Sequence, residues 1–324
     1  MPSQLHTASS SVINVAVGVV LKPNGEFLLA CRPNTTSYAG YWEFPGGKFE
    51  AGETGYICLK RELYEELGIE VTHADPWLTQ VFHYPDKSVR LHFFCVRTWR
   101  GEPRAREGQS LSWQFPNKVT VTPVLPANTP ILRALNLPPI YAITQAAAYG
   151  EEVFLARLAR ALNTGLRFIQ IREKQMSYAQ LQQFATRVIG LAQSQTTPSS
   201  GPIIVTINTD IALSQQVGAH GVHLNAQQLM QLPARPDVPL CGASCHNTEE
   251  LERAALLGCD FVALSPVLAT ATHPGAATLG WPAFAQLIKD YPLPVYALGG
   301  MQSAWLAKAQ MQGAHGISMC SGSW

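Results

Sequence analysis

The stretch GGKFEAGETGYICLKRELYEELGI, residues 46–69, joins a glycine-rich loop to an acidic, amphipathic segment. Its periodicity predicts a helix from about Thr54 to Leu67, and Gly68 follows as a typical residue just past a helix end. Because successive helical residues rotate by about 100°, one face collects three glutamates within one turn: Glu62, Glu65 and Glu66. An adjacent apolar stripe is expected to pack into the core: Tyr56, Leu59, Leu63 and Leu67.

The three glutamates predict a metal site. Like charges at this spacing destabilise an isolated helix by about 0.2–0.5 kcal/mol per pair, a conflict that a divalent cation removes. Clustered carboxylate oxygens suit Mg²⁺ or Mn²⁺, whereas the alternative interpretation is a solvated acidic face. The preceding Gly46-Gly47 favours the metal site because such a loop brings backbone close to a ligand. Glu53 lies where the helix dipole favours a carboxylate, and Arg61 is placed to hold one.

The composition narrows the class of protein. A length of 324 residues suggests about two domains, and 47% hydrophobic residues suit a globular chain with a large core. The formal net charge of +1 gives no indication of bulk nucleic-acid binding. The N-terminus lacks the pattern of a signal peptide, and the apolar stretch 12–21 is too short to span a membrane. The seven scattered cysteines indicate reduced packing thiols, so a cytoplasmic protein is expected.

The first half of the chain is rich in predicted strands and is interpreted as an α+β domain with a mixed sheet. Strands are expected on both sides of the hairpin-like turn Lys22–Gly25, at 12–21 and 26–30. Two more, at 78–84 and 89–98, flank Pro85-Asp86. A short helix is predicted from Thr129 to about Leu135. Asn136-Leu137-Pro138-Pro139 is interpreted as a linker, so the first domain is predicted to span residues 1–136.

In the second predicted domain, residues 137–324, short apolar strands alternate with helices. The strands are predicted at 140–144, 168–172, 203–208, 221–224, 240–244, 261–265, 295–299 and 315–319. Helices are predicted in most of the gaps, at 151–163, 178–193, 248–257, 283–290 and 304–312. This alternation is typical of an α/β barrel of the TIM type, (β/α)₈, although no helix is predicted after the last strand.

The loop and helix of residues 46–69 carry a resemblance to the Nudix hydrolases. The defining positions all match: Gly47, Glu53, Arg61, Glu62, Leu63, Glu65, Glu66, Gly68 and Ile69. The resemblance implies the Nudix fold and hydrolysis of a nucleoside diphosphate linked to another group. It also implies Mg²⁺, with Mn²⁺ as a substitute, held by Glu62, Glu65 and Glu66 with the Gly47 carbonyl. Glu53 would orient or activate water, and Arg61 completes the implied catalytic set.

Further pieces of residues 12–135 are similar to the MutT branch of that family, which hydrolyses 8-oxo-dGTP to its monophosphate and pyrophosphate. They are Ala16-Val17-Gly18, Glu43–Lys48, Tyr84-Pro85-Asp86, Trp99–Pro103, Glu107-Gly108-Gln109 and Pro126-Ala127-Asn128. This resemblance implies a small nucleotide substrate and adds Glu107 as a metal ligand from outside the helix. The implied substrate-binding residues are Arg32, Glu43, Gly46, Gly47, Lys48, Tyr84, Asp86 and Asn128.

Asn128 is assigned to base recognition. Its amide offers an acceptor beside a donor, and 8-oxoguanine presents a donor at N7 beside an acceptor at O6. Normal guanine presents acceptors at both positions, and such a mismatch in a buried site discriminates by roughly 10⁴–10⁵-fold. The alternative is that Asn128 only caps the helix beginning near Thr129.

The second half resembles thiamine phosphate synthase and the related TenI-type thiazole tautomerase. Matching pieces include Tyr141–Thr144, Gln170–Lys174, Gly221–Leu224, Gly242–His246 and Leu298–Gly300. Gln170, Arg172 and Lys174 alternate along a strand and lie at its carboxyl end, where barrel sites form. A phosphate-type site is therefore predicted from ten residues: Gln170, Arg172, Lys174, Asn208, Ser244, His246, Thr270, Thr272, Gly299 and Gly300.

The barrel departs from the synthase pattern where magnesium ligands are expected. Thr209 follows Asn208, so Asp210 is shifted by one place, and no carboxylate follows Asn225. His273 replaces an expected lysine. Three alternatives stay open for this half: a residual synthase, a tautomerase using His246 as acid or base, and a non-catalytic binding module. In a further alternative the whole chain acts in a thiamine pathway, and the Nudix half cleaves thiamine-type pyrophosphates.

Overall fold

The computed structural model describes residues 12–196, 201–270, 275 and 277–324. Thr272 and His273, named above, lie outside these ranges. The chain divides into two compact units, the first ending at Leu132 and the second beginning at Arg133. The division lies four residues before the boundary expected from sequence.

The first unit is an α+β fold built from two sheets. Its strands are β1 (Ile13–Val20), β2 (Phe27–Cys31), β3 (Trp42–Glu43), β4 (Gly46–Lys48), β5 (Glu70–His83), β6 (Ser88–Arg100) and β7 (Ser110–Gln114). Its helices are α1 (Gly55–Leu67) and α2 (Thr129–Leu135). One sheet has the order β4-β1-β6-β5 and is mixed because only β1 and β6 are parallel. The other, β3-β2-β7, is antiparallel.

The predicted mixed sheet is therefore confirmed, but the prediction that the strands on either side of Lys22–Gly25 pair as a hairpin is wrong. The turn itself forms, with the Gly25 amide donating to the Lys22 carbonyl. Past a single bridge between Leu21 and Phe27, however, β1 and β2 enter different sheets. The turn that includes Pro85-Asp86 joins β5 to β6, which pair as an antiparallel hairpin.

Helix α1 packs on β1 through its apolar face. Cys58, Leu59, Leu63 and Leu67 are fully buried. The approach is close because Gly18 in β1 has no side chain: an added Cβ would lie 2.8 Å from Leu63 Cδ1. The sequence placed Tyr56 in this stripe, which is wrong. Tyr56 lies in the first turn of α1 and is 37% exposed, and Cys58 takes the buried position instead.

The second unit is a closed barrel of parallel strands, in the order β10-β11-β12-β13-β14-β15-β8-β9. The strands are β8 (Ile140–Ile143), β9 (Phe168–Ile171), β10 (Ile204–Asn208), β11 (Gly221–Leu224), β12 (Leu240–Cys245), β13 (Phe261–Leu264), β14 (Val295–Leu298) and β15 (Gly316–Met319). The helices are α3 (Ala146–Tyr149), α4 (Glu151–Asn163), α5 (Tyr178–Ser194), α6 (Ile211–Gln216), α7 (Ala226–Gln231), α8 (Thr248–Leu257), α9 (Gly280–Leu287) and α10 (Leu306–Met311). The predicted (β/α)₈ architecture is confirmed.

The segment interpreted as a linker is packed against the amino-terminal end of the barrel. Leu137 is only 7% exposed, and its carbonyl accepts a hydrogen bond from His315 at 2.7 Å. The Pro138 carbonyl accepts another from the Tyr296 hydroxyl, also at 2.7 Å. Residues 137–139 are therefore part of the barrel structure. Pro138 and Pro139 lie directly before its first strand and do not form a free linker between the two units.

An aromatic layer fills the amino-terminal half of the barrel interior. Tyr141, Phe168, Phe261 and Tyr296 lie at the first or second position of their strands and are fully buried. The rings of Tyr141 and Phe168 are stacked, with centroids 4.1 Å apart. Gly242 gives Phe261 its space, since an added Cβ would lie 2.2 Å from that ring. The carboxyl ends of the strands are left open for a site.

Two further predictions concern the whole chain. The seven cysteines form no disulfide, and five of them are buried, as expected for packing thiols. Among the described residues, no helix has both the length and the apolar character needed to span a bilayer.

Candidate active site

Helix α1 is bounded by residues that suit its ends. The Thr54 hydroxyl accepts a hydrogen bond from the Ile57 amide at 3.3 Å and caps the amino terminus. Gly68 ends the helix in a left-handed conformation, with φ of 71°. Between these caps the predicted acidic residues project from the face that does not pack on the sheet.

Arg61 binds several of these acids at once. Its Nε and Nη2 donate to the two oxygens of Glu53, both at 2.9 Å. Its Nη1 donates to Glu62 at 2.8 Å and to Glu65 at 3.2 Å, and its Nη2 also donates to the Lys48 carbonyl at 3.1 Å. The bidentate geometry is the strong form of arginine–carboxylate pairing. Arg61 therefore fixes the loop and the acidic face relative to each other.

Glu53 is held in its ionised form. Hydrogen bonds from Arg61 and from the Glu50 amide lower the pKa of the Glu53 carboxyl to about 2. A group with so low a pKa is a weak general base near neutral pH. The role suggested for Glu53 by the resemblance was to orient or activate water. In this geometry the residue is suited to orienting Arg61, because both of its oxygens already accept bonds.

The Arg61–Glu53 pair predicts a pH-dependent stability. A carboxyl whose folded-state pKa is lowered contributes stability above its unfolded pKa near 4.5, and this contribution is lost as pH falls toward 2. Arg61→Gln should remove it, so the difference in melting temperature between wild type and variant should be largest at about pH 6 and shrink as the pH falls through 4.5 toward 2. Differential scanning calorimetry measures this difference. A gap that stays constant over that range would contradict the assignment.

The glycines of β4 let the acidic face approach the strand. An added Cβ on Gly47 would lie 2.1 Å from the carboxyl carbon of Glu62, and one on Gly46 would lie 2.1 Å from the Ala16 carbonyl oxygen. The Gly46 amide donates to Glu66 Oε2 at 3.0 Å. The Cys58 thiol, not identified from sequence, donates to the Gly47 carbonyl at 3.5 Å. The predicted Gly46, Gly47, Glu62 and Glu66 are thus brought together.

The carboxyl group of Glu66 has a raised pKa. Burial raises the pKa of its carboxyl to about 8, and repulsion from Glu43, Glu62 and Glu107 adds to the effect, although the Gly46 amide opposes it. Burial also raises the pKa of Glu62, in part against Arg61. Carboxyl groups are therefore crowded together where the sequence predicted a cation.

Glu107 reaches this centre from the loop after β6. The Glu107 amide donates to Gln109 Oε1 at 2.7 Å, and Gln109 Nε2 donates to the Glu66 carbonyl at 2.9 Å. The Arg106 amide donates to the same Glu66 carbonyl at 3.1 Å. Gln109 is only 8% exposed and was not identified as functional from sequence, although it lies in a quoted motif. It ties the Glu107 loop to the end of α1.

The donor set fits a hard divalent cation by its chemistry. Carboxylate oxygens of Glu62, Glu65, Glu66 and Glu107 and the Gly47 carbonyl are the ligands that Mg²⁺ prefers. A cation there would offset the repulsion that raises the pKa of Glu66. Within the described part of the chain, no three such side chains are already arranged as a metal site. Because Arg61 pairs with Glu62 and Glu65, metal binding competes with those ion pairs.

A second group of predicted residues lies beside Glu43. Arg32 Nη1 donates to Glu43 Oε1 at 2.5 Å, and Arg32 Nε donates to the Ser37 carbonyl at 2.7 Å. Burial raises the pKa of Tyr84, and the charge of Glu43 adds to this shift. The Tyr84 ring packs against Tyr38 with centroids 5.6 Å apart. Arg32, Glu43 and Tyr84 therefore form one group.

Two residues predicted to bind substrate, Asp86 and Lys48, place their side chains outside both the acidic face and the group around Glu43. The Asp86 side chain is 75% exposed at the turn between β5 and β6, where it lies 3.9 Å from Lys87. Lys48 is exposed, and its contribution to the site is the backbone carbonyl that accepts from Arg61.

Asn128 is buried with an unpaired side-chain nitrogen. The residue ends a 3₁₀ turn, Pro126–Asn128, and is 4% exposed. Its Nδ2 has no hydrogen-bond partner among the described residues. A buried, unpaired amide of this kind costs stability, on the order of 1–3 kcal/mol, and calls for an explanation. The simple capping interpretation does not account for that nitrogen.

A separate cavity of about 1440 Å³ opens at the carboxyl ends of the barrel strands. Every described member of the predicted phosphate-type site lines it: Gln170, Arg172, Lys174, Asn208, Ser244, His246, Thr270, Gly299 and Gly300. Thr272 lies outside the described residues. Gly299 and Gly300 have positive φ angles of 98° and 67°, which favour glycine at this turn.

A buried polar chain, not foreseen from sequence, lies beneath this cavity. Gln170 Nε2 donates to the Tyr141 hydroxyl at 3.0 Å, and that hydroxyl lies 2.7 Å from Thr206 Oγ1. His223 lies 3.3 Å from the same hydroxyl through Nδ1 and 2.9 Å from Ser244 Oγ through Nε2. Burial, with a smaller effect of Arg172, lowers the pKa of His223 to about 3, so this ring is neutral.

The acidic residues near the open end of the barrel accept hydrogen bonds from backbone amides. Asp210 accepts from the Leu213 amide at 2.8 Å and caps α6. Glu173 accepts from the Ala146 and Ala147 amides at 2.7 and 3.1 Å. Glu250 accepts from the His246 amide at 2.6 Å and lies 2.9 Å from its Nδ1. The shifted Asp210 is therefore a helix cap, and none of these acids lines the cavity.

Comparison with known proteins identifies a family for each of the two units. Residues 140–322 match the family model TMP-TENI, described as thiamine monophosphate synthase, and residues 12–135 match NUDIX, described as NUDIX domain. A putative thiamine-phosphate synthase 2 of Aquifex aeolicus is 34% identical over 186 residues, which cover 57% of this chain and 96% of the relative.

Two relatives match the first unit at nearly equal identity. The 8-oxo-dGTP diphosphatase of Haemophilus influenzae is 38% identical, in an alignment that covers 38% of this chain and 91% of the relative. The CTP pyrophosphohydrolase of Escherichia coli is 37% identical, in an alignment that covers 36% of this chain and 87% of the relative. The chain thus belongs to two families at once, with a NUDIX hydrolase domain at residues 12–135 and a thiamine monophosphate synthase domain of the TMP-TENI type at residues 140–322.

Proposed function

We propose that the NUDIX domain is a Mg²⁺-dependent pyrophosphohydrolase that converts 8-oxo-dGTP to 8-oxo-dGMP and pyrophosphate. Such a reaction removes an oxidised nucleotide from the pool before it enters DNA. The observation that carries the substrate assignment is the buried, unpartnered Nδ2 of Asn128. The 38% identity to an 8-oxo-dGTP diphosphatase supports the same assignment.

Asn128 suits the oxidised base because of its donor and acceptor order. Its Nδ2 donates to O6 while its Oδ1 accepts from N7–H, which only the oxidised guanine carries. With normal guanine, Oδ1 would face the N7 lone pair in a site closed to water. That repulsion in a buried position is the physical basis of discrimination. The group of Arg32, Glu43 and Tyr84 would supply further polar and aromatic contacts for a nucleotide.

The acidic face is proposed to hold the catalytic centre. Glu62, Glu65, Glu66 and Glu107, with the Gly47 carbonyl, would hold Mg²⁺ or Mn²⁺. Such a cation, when bound, supplies charge neutralisation on the phosphates and a more acidic water. Arg61 keeps Glu53 ionised and fixes the Gly47–Lys48 strand, so the donors are positioned before substrate arrives. Phosphoryl substitution needs positioning and electrostatics more than covalent help, which agrees with these roles.

The full chain should be assayed for pyrophosphate release with Mg²⁺, comparing kcat/KM for 8-oxo-dGTP, dGTP, CTP and thiamine pyrophosphate. A preference for 8-oxo-dGTP over dGTP on the order of 10³ or more supports the proposal. CTP is the second candidate because of the 37% identity to a CTP pyrophosphohydrolase. A preference for CTP or thiamine pyrophosphate would reject the oxidised-purine assignment.

Asn128→Ala should reduce the preference for 8-oxo-dGTP over dGTP by roughly 10- to 100-fold, because the directional hydrogen bonds to the base are lost. Turnover of dGTP should change little. Steady-state kinetics with both nucleotides measures the ratio. Asn117→Ala is the matched control, since Asn117 is exposed in the turn after β7. An unchanged ratio in the Asn128 variant would assign this residue to packing alone.

A further inference from the structure

Two buried cysteines, Cys241 and Cys259, lie side by side where strands β12 and β13 begin. The Asp260 amide donates to the Cys241 carbonyl at 2.8 Å, so Cys259 is one residue before the position opposite Cys241. Adjacent strands lie about 4.8 Å apart and rise about 3.3 Å per residue, which gives a diagonal Cα separation of about 6 Å. Disulfides span Cα separations of about 4.4–6.8 Å, so the two residues can be joined with little movement of the backbone.

This thiol pair lies outside the barrel interior. Cys241 and Cys259 belong to the hydrophobic cluster that includes Leu251 and Ala254 of α8. The two cysteines are 0% and 3% exposed, and neither lines the cavity at the carboxyl ends of the strands. The pair is therefore separate from both sites described above, and its chemistry does not depend on the function proposed for the NUDIX domain.

The two thiols are hydrogen-bonded to each other and differ in acidity. The hydrogen bond with Cys259 lowers the pKa of Cys241; the Arg235 guanidinium adds to this effect, and burial opposes it. The same hydrogen bond, together with burial, raises the pKa of Cys259, which keeps its proton. A thiol that ionises more readily, beside one that stays protonated, gives an attacking sulfur and a resolving sulfur.

Arg235 lies over the thiol pair and supplies its positive charge. Its Nη2 donates to Asp260 Oδ2 at 2.7 Å, and the same oxygen accepts from the Cys241 amide at 2.7 Å. The arginine side chain also passes over Gly258, where an added Cβ would lie 3.7 Å from Arg235 Cδ. This side chain is 30% exposed, so a reagent from solvent approaches the buried thiols past it. Such restricted access suits a small oxidant, and a hydroperoxide is little larger than water.

We propose that Cys241 and Cys259 form a site of reversible oxidation, which a small hydroperoxide converts to a disulfide. The Cys241 sulfur attacks the hydroperoxide: an S–O bond forms, the O–O bond breaks, and the thiol proton leaves with the departing oxygen as water or an alcohol. The Cys259 sulfur then attacks the Cys241 sulfur. The S–S bond forms, the S–O bond breaks, and the hydroxide takes the Cys259 proton and leaves as water. The two sulfurs together lose two electrons, which reduce the hydroperoxide.

Peptide mapping of the full chain tests the proposal. The folded protein is treated with excess hydrogen peroxide, the remaining thiols are blocked with N-ethylmaleimide, and the chain is unfolded and digested with trypsin without reductant. Because trypsin cleaves after Arg253, the expected disulfide joins the peptide ending at Arg253 to the one beginning at Ala254. Dithiothreitol should release both peptides. Absence of the linked peptides, or sulfinic and sulfonic acids in their place, would overturn the proposal.

Cys245 provides the matched control, because it is fully buried in the same strand but is paired in register with Leu264. Cys245→Ser should leave the linked product unchanged, whereas Cys241→Ser should abolish it. Cys259→Ser should instead trap Cys241 as a sulfenic acid, which dimedone labels.

If the variants of the pair melt at a lower temperature, fragmentation of the linked wild-type peptides locates the bond without any substitution. A bond to Cys245, or a linked product that persists in a folded Cys241→Ser protein, would show that Cys241 is not the oxidised residue.

Discussion

Glu66→Gln is expected to lower kcat for nucleotide hydrolysis by roughly 10³-fold or more, because a metal ligand and its charge are lost. Without a cation the pKa of Glu66 is about 8, so glutamine resembles the protonated form that predominates at neutral pH. A glutamine oxygen can still accept from the Gly46 amide, and the fold should persist. Metal binding requires the ionised carboxylate, which glutamine cannot supply.

The kinetic measurement should be paired with Mn²⁺ binding by electron paramagnetic resonance and with a melting curve. Weakened Mn²⁺ binding with an unchanged melting temperature is the expected pattern. Glu70→Gln is the control, since Glu70 is exposed and its ion pair to Arg100 is long, at 3.6 Å. Near-normal turnover in E66Q would remove Glu66 from the proposed catalytic centre.

Gly47→Ala is expected to lower kcat by roughly 100-fold, the loss typical of a 1 Å misplacement at a catalytic centre. The added methyl would overlap the Glu62 carboxyl group, 2.1 Å from its carbon, and force that side chain away from Arg61. The obstacle is the far end of a side chain, so the domain should still fold. Steady-state kinetics and a melting curve separate the two effects.

Gly190→Ala provides the comparison for this glycine. Gly190 lies in α5, where an added Cβ meets no atom within 4 Å. Its substitution should leave hydrolysis unchanged and favour the helix. If Gly47→Ala retained wild-type kcat, the close contact of Glu62 with β4 would have no catalytic role.

The barrel was predictable because its strands are short and fully buried. Strands β9, β11, β13 and β15 are buried at every position, so each is a compact apolar run. Helices α6 and α7 were missed, although α10, which also has six residues, was predicted. Their signals were present in the caps Asp210 and Asn225, which were interpreted only as departures from a metal-binding pattern.

In the first unit, the irregular strand β5 was only half predicted. It runs from Glu70 to His83, although its first half contains Asp75-Pro76 and register shifts relative to β6. These shifts break the alternation of apolar and polar residues on which a strand prediction depends. Tertiary pairing with β6 decides the structure of this segment.

At the acidic face, sequence spacing identified the participating residues but not their partners. The bidentate Arg61–Glu53 pair and the Gln109 bridge depend on side-chain conformations set by packing between segments distant in sequence. The resemblance implied that Glu53 orients or activates water, whereas in the structure both of its oxygens accept hydrogen bonds from Arg61. The unpaired Nδ2 of Asn128 also could not be inferred from spacing, since its burial arises from tertiary packing.

The aromatic layer at the amino-terminal end of the barrel has an evolutionary consequence. Phe168, Phe261 and Tyr296 bury large side chains that do not line the cavity at the open end, so much of the barrel's stability does not depend on residues at the strand tips. Changes at the tips are then tolerated without unfolding. A lineage can lose metal-binding carboxylates there and keep the scaffold, free to acquire a different ligand.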